Sequence, residues 1–145
     1  MDLIAINIDG KPQKPIILSE IAQSVCNTTA AMYQLTGFVP PWIGYLTRKD
    51  GELVGTCAFK TPPQNGRVEI AYFTFPDYEG KGIATNMALH LIEIARQNAE
   101  GIIVFAQTLP EENASTAILK KLGFQLIEEV IHPEDGRVWE WEILP

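Results

Sequence analysis

The stretch PDYEGKGIATNMALHLIEIA, residues 76–95, sets two glycines, a lysine and an alanine directly before an apolar pattern of helical spacing. A glycine turn that opens a helix aims several unpaired backbone N–H groups, together with the helix dipole, at one spot. That spot favours an anion. Gly80 and Gly82 let the main chain come close to a phosphate with no Cβ in the way, and Lys81 adds a positive charge beside it. Ile83, Ala84, Met87, Ala88, Leu91, Ile94 and Ala95 then recur at helical spacing, with Thr85, Glu93 and Arg96 opposite, which predicts an amphipathic helix.

Working outward, RVEIAYFTF (residues 67–75) alternates, with Val68, Ile70, Tyr72 and Thr74 on one face and Glu69, Ala71, Phe73 and Phe75 on the other. It reads as the central strand. GIIVFAQT (residues 101–108) is a nearly continuous apolar strand, so residues 67–107 make one strand, helix, strand crossover with a parallel strand pair. A short helix follows from about Asn113 to Leu122, with Glu111 and Glu112 at its positive end, Lys120 and Lys121 in its last turn and Gly123 as terminator.

Further out, LIAINI (residues 3–8) reads as a strand ending at Asp9-Gly10, and residues 18–36 as a helix opened by Ser19. WIGYLTR and ELVGTCAFK, joined through Asp50-Gly51, form a hairpin, because Asp-Gly supplies the positive backbone angles of a tight turn. FQLIEEVIH and VWEWEIL, joined at PEDGR, form another. The expected fold is α+β: one domain over 1–145, with a mostly antiparallel sheet around a single parallel pair and flanking helices.

Composition narrows the function. With 46% hydrophobic residues in 145, the chain can bury a real core, and a net charge of −7 repels a nucleic-acid backbone. No segment approaches the about 18 consecutive apolar residues of a membrane span, and MDLIAINIDGKPQKP has no leader character. We expect a cytoplasmic protein with no nucleic-acid or membrane partner. Two cysteines and two histidines assemble no zinc-ligand spacing, so no metal site is expected; Cys26 and Cys57 read as small hydrophobes.

The glycine turn fits neither of two common phosphate motifs. The nucleotide P-loop needs serine or threonine after its lysine, but Gly82 follows Lys81. The dinucleotide fingerprint needs glycine or alanine where Thr85 stands, within a doubly wound sheet for which this chain lacks the crossovers. EGKGIA, residues 79–84, resembles instead the signature of the GNAT superfamily of acyl-CoA-dependent N-acetyltransferases in every position but the first, where Glu79 replaces glutamine or arginine. The resemblance runs through RVEIAYFTFP before the turn, TLPEENASTAILKKLGF after the parallel strand, and both hairpins. It is nearest to the branch that includes ribosomal-protein N-terminal acetyltransferases.

The resemblance implies acetyl-CoA as co-substrate, with its pyrophosphate on the amides of Lys81, Gly82, Ile83, Ala84 and Thr85. It implies a pantetheine arm along main-chain groups of Phe73 and Phe75, a contact from Asn113 beside Glu112, and transfer by direct attack in a ternary complex. The phenylalanine side chains also read as core. Glu69 stands where relatives carry a carboxylate base; it also reads as a solvated strand residue paired to Arg67 or to a neighbouring strand. Many relatives have an acidic tyrosine where this chain has Leu119. Ser115 matches the serine that the N-terminal acetyltransferase branch carries near the helix start, and it also reads as a helix cap.

The acceptor is expected to be a small amine or a peptide N-terminus. Tyr33, Trp42 and Tyr45 are the expected lining, with core and loop anchoring as the alternative. Trp139 and Trp141 share a strand face that suits core or homodimer packing. The alternative function is a catalytically silent CoA-binding or interaction module, which Glu79 and Leu119 permit.

Overall fold

The computed structural model describes residues 1–145. Seven strands form one sheet in the order β1-β2-β3-β4-β5-β7-β6, where β1 is Asp2–Ala5, β2 Gly44–Lys49, β3 Glu52–Phe59, β4 Arg67–Thr74, β5 Ile103–Thr108, β6 Gln125–His132 and β7 Gly136–Ile143. Only β4 and β5 are parallel, joined by helix α2 (Ile83–Asn98). Helix α1 (Glu20–Thr36) precedes the first hairpin and α3 (Ala114–Leu122) precedes the last. The architecture is the expected α+β sheet with one parallel pair. No helix is long and apolar enough to cross a membrane.

Local chemistry sets the element ends. The Ser19 hydroxyl accepts from the Ala22 N–H and caps α1, and Asp50 and Gly51 take φ of 53° and 80° in the β2-β3 turn. The first strand is shorter than expected: it ends at Ala5, and Ile6 makes an isolated bridge to Pro12 as the chain doubles back through Gly10.

The helices cover opposite faces. A Cβ on Gly44 would sit 2.8 Å from Thr29 of α1, whereas one on Gly55 would sit 3.1 Å from Met87 of α2. By strand alternation and the β3-β4 register, Thr56, Ala58, Glu69, Ala71 and Phe73 face α1, while Cys57, Phe59, Val68, Ile70 and Tyr72 face α2. Phe59, Ile70, Met87 and Leu91 build the α2 side of the core, and Trp141 extends it under α3, its indole N–H donating to Thr108 Oγ1 at 3.0 Å. Trp141 is core, as one of the two sequence readings had it.

Two substitutions test this layering by urea denaturation. Gly55→Ala puts a methyl 2.7 Å from the Phe73 carbonyl and should cost about 1–3 kcal/mol. Tyr33→Phe should cost about 1–3 kcal/mol, because the Tyr33 hydroxyl donates to the Ile6 carbonyl at 2.8 Å and accepts from the Gly44 N–H at 3.0 Å. Unchanged midpoints would contradict the placement of both residues.

Candidate active site

The parallel ladder is short. β4 and β5 pair only through Arg67↔Ile103, Val68↔Val104 and Glu69↔Phe105. Beyond that point β4 stays on β3 as far as Thr74, and β5 stays on β7 as far as Thr108, so the two strands part. A cleft of about 270 Å³ occupies the gap, lined by Lys60, Glu69, Tyr72, Gln107, Asn113 and Ser115 among others.

The gap joins two further clefts. On the α2 and α3 side, about 500 Å³ is lined by Gly80, Gly82, Ala84, Thr85, Ser115 and Ile118. On the α1 side, about 430 Å³ is lined by Ile21, Val25, Met32, Ala58, Lys60 and Phe73. Tyr72 belongs to the walls of all three. The sheet is thus open from face to face at one place.

Main-chain groups in the gap follow from ladder alternation. The Glu69 carbonyl accepts from Lys60 N–H and the Phe75 N–H donates to the Val54 carbonyl, so residues 69, 71 and 73 spend their bonds on the β3 side, while the Phe75 carbonyl accepts from Tyr78 N–H. The Ile70 carbonyl and the groups of Tyr72 and Thr74 point into the gap. This corrects the expectation that Phe73 and Phe75 offer the free groups. Their side chains differ too: Phe75 is buried, whereas Phe73 is 50% exposed on the α1 cleft.

At the turn, Gly80 and Gly82 take φ of 77° and 75°, and α2 begins after Gly82 with no side-chain cap and no acidic residue in its first turn. The first intrahelical bond is Asn86 N–H to the Gly82 carbonyl, so the N–H groups of Ile83, Ala84 and Thr85 have no intrahelical acceptor. The glycines serve the turn's positive φ, since a Cβ on either would meet nothing. The Lys81 side chain departs from expectation: it lies over the Tyr78 ring, 5.7 Å from its centroid, and lines a separate small cleft.

Helix α3 assigns its polar residues clearly. Asn113 Oδ1 accepts from the Thr116 N–H at 3.1 Å, and Thr116 Oγ1 accepts from the Asn113 N–H at 2.9 Å, a reciprocal capping box. Asn113 is therefore the cap, and its side-chain oxygen is committed to the helix. Ser115 is not the cap: it is exposed, makes no side-chain hydrogen bond, and lines both the gap and the α2 cleft. Glu112 pairs with Lys120 at 2.7 Å.

Glu69 is neither solvated nor paired to Arg67. Its carboxylate faces the α1 side with 17% of the side chain exposed, and Lys60 Nζ lies 3.3 Å from Oε2, off hydrogen-bond alignment. Oε2 is buried without a hydrogen-bond partner. Burial pushes the carboxyl above the ordinary glutamate value; Lys60 opposes this, Glu140 adds to it and His132 opposes it more weakly. Arg67 instead binds Glu142 at 2.6 Å and Glu140 at 3.3 Å, and stacks on the Phe105 ring.

Sequence reading missed Lys60 and Tyr72. Lys60 directly follows β3, opposite Glu69, a contact legible only once the hairpin register is known. The hydroxyls of Tyr33, Tyr45 and Tyr78 each donate to a protein acceptor, whereas that of Tyr72 makes no hydrogen bond, and burial raises it to about 12. The expected acceptor residues lie elsewhere. Tyr33 and Tyr45 are buried with committed hydroxyls, and Trp42 packs edge-on against Phe59 at 5.0 Å. None of the three lines the clefts around Glu69.

The residues present suit a long ligand with an anionic end. Uncapped amides mark one end, free strand edges mark the middle, and a basic carboxylate lies past the gap. No group of three His, Cys, Asp or Glu side chains lies together as a metal site.

A family model described as an acetyltransferase (GNAT) domain matches residues 10–125. The chain is 32% identical over 81 residues to uncharacterized N-acetyltransferase p20 of Bacillus licheniformis, a match covering 55% of this chain and 46% of that protein. The chain thus spans less than half the length of that curated relative. Among solved structures, it is similar in fold to RimL, a ribosomal L7/L12 alpha-N-protein acetyltransferase in complex with coenzyme A, with TM-score 0.67, 18% identity and coverage of 89% of this chain and 74% of that one. It is also similar to the microcin C7 self immunity acetyltransferase MccE in complex with acetyl-CoA and AMP, with TM-score 0.68, 17% identity and coverage of 86% and 71%. A ribosomal-protein-alanine N-acetyltransferase from Brucella melitensis gives TM-score 0.65, 17% identity and coverage of 85% and 78%.

The raised Glu69 carboxyl has a consequence for stability. The folded chain binds this proton more tightly than the unfolded chain, so stability falls as pH rises from the ordinary glutamate value through the raised one. Glu69→Gln removes that fall. Denaturation at a series of pH values should show the variant gaining on wild type across this window; a constant difference would contradict the assignment.

Proposed function

The chain belongs to the GNAT acetyltransferase family, and on that footing we propose that it moves an acetyl group from acetyl-CoA to a primary amine, either a small amine or a peptide N-terminus. The observation that carries the reading is the opening between β4 and β5, with uncapped amides on its α2 side and the orphaned Glu69 oxygen on its α1 side. Acetyl-CoA, when bound, supplies the activated acetyl thioester.

The chain's own residues divide the work. The N–H groups of Gly82, Ile83, Ala84 and Thr85, with that of Lys81, hold the pyrophosphate through the helix dipole and unpaired donors. The Lys81 ammonium takes no direct part. Ile70, Tyr72 and Thr74 orient the arm with main-chain groups in the gap. Glu69, made more basic by burial, takes the proton of the attacking amine directly or through water.

Ser115 stands at the junction of the gap and the α2 cleft with an uncommitted hydroxyl, suited to donate a hydrogen bond where negative charge develops on sulfur. Donor and acceptor enter from opposite faces of the sheet, which supports direct attack in a ternary complex and requires no acyl-enzyme. Cys57 is buried and its thiol is pushed up to about 12, so it is a poor covalent nucleophile.

The test is Glu69→Gln. It should lower kcat by about 10²–10⁴-fold while acetyl-CoA affinity, read by calorimetric titration, stays within about twofold. Full activity in the variant would remove Glu69 from the chemistry, and a wild type that binds acetyl-CoA but acetylates no amine would point to a silent binding module.

A further inference from the structure

The α1-side cleft carries information about the acceptor that the family does not. Its walls are Ile21, Val25 and Met32 from the helix and Ala58, Ala71 and Phe73 from the sheet, with small polar side chains between. Lys60 is the one charged residue lining it, and it lines the gap as well. The cleft therefore ends, at the reaction site, on a pair of opposite charges: Lys60 Nζ and Glu69 Oε2, 3.3 Å apart.

Each member of that pair has capacity to spare. Glu69 Oε2 is buried with no aligned donor, and the Lys60 ammonium offers three donors, makes no hydrogen bond to the protein, and is 43% exposed on a flexible stem. A ligand bearing an ammonium and a carboxylate on neighbouring atoms can insert between them, turning one misaligned ion pair into two aligned ones. No carboxylate lines the far end of the cleft, so a second cationic centre, as in a polyamine, would be buried without a partner. An ester or amide in place of the carboxylate, as in a peptide N-terminus, would leave Lys60 with only its present contact.

We propose that the acceptor is a free α-amino acid with an apolar side chain, its ammonium on Glu69, its carboxylate on Lys60 and its side chain in the α1 cleft. This rests on the acetyltransferase reading above. In the reaction the amine nitrogen bonds to the acetyl carbon and the carbon–sulfur bond breaks. Glu69 takes one proton from the bound ammonium to free its lone pair, and as the sulfur leaves with the electron pair of the carbon–sulfur bond the second proton passes from the acetylated nitrogen to that sulfur, giving the thiol. The products are the N-acetyl amino acid and coenzyme A.

The experiment measures thiol release from acetyl-CoA with leucine, methionine and phenylalanine, with their amides, and with tripeptides beginning with the same residues. The free acids should exceed their amides in kcat/KM by about tenfold to a hundredfold, mainly through KM. Lys60→Met should bring that ratio to about one, and Lys60→Arg should restore part of it. Amides or tripeptides turned over as well as the acids by wild type, or a ratio unmoved by Lys60→Met, would overturn the proposal while leaving acyl transfer standing. A wild type that binds no acetyl-CoA by calorimetry would overturn the acetyltransferase reading itself, and the acceptor proposal with it.

Discussion

Everything in this site depends on where the β4-β5 ladder stops. Parallel strands normally lie side by side in a closed sheet, yet here pairing ends after Glu69 and Phe105 because each strand is held more firmly by its antiparallel neighbour. β3 keeps β4, and β7 keeps β5. The resulting gap leaves the Ile70 carbonyl and the main-chain groups of Tyr72 and Thr74 without a strand partner, a cost that a polar ligand arm can offset. The same divergence opens a passage through the sheet, with α2 and α3 on one side and α1 on the other.

Electrostatics then make the passage directional. The α2 end presents uncapped amides and no acidic residue in the first helical turn, an environment for negative charge. The α1 end presents a buried carboxylate made more basic by desolvation, an environment for a proton. Arg67, Glu140 and Glu142 form a separate network next to it. That network keeps Arg67 off Glu69, and the carboxylate has only Lys60 as an ion-pair partner.

Much of this was legible in the sequence, for local reasons. Asp50-Gly51, Ser19 and the apolar spacing after Gly82 specify turn, cap and helix within a few residues, and the glycine turn marks the uncapped start of α2. What depends on register was not legible. Alternation correctly put Phe73 and Phe75 on one face, yet only the pairing with β3 reveals that their main-chain groups are already used. Ser115 and Asn113 are two residues apart and both can cap a helix; the reciprocal bond with Thr116 decides for Asn113. Tyr33 and Tyr45 suit a pocket by composition, and only their hydroxyl partners, Ile6, Gly44 and Pro41, show them to be core braces.

The central claim is that the uncapped start of α2 holds the pyrophosphate of the acyl donor, and one substitution separates that role from folding. Ala84→Glu places a negative charge among the helix's free N–H groups, where the dipole's about 0.3–1 kcal/mol offsets part of the cost of a larger side chain at this half-buried position while the charge repels a phosphate. Calorimetric titration of acetyl-CoA, beside thermal melts of wild type and variant, reads both effects. Wild type should bind, and a variant that still melts cooperatively should lose at least about tenfold in affinity. A variant that melts cooperatively and binds acetyl-CoA as tightly as wild type would contradict the central claim.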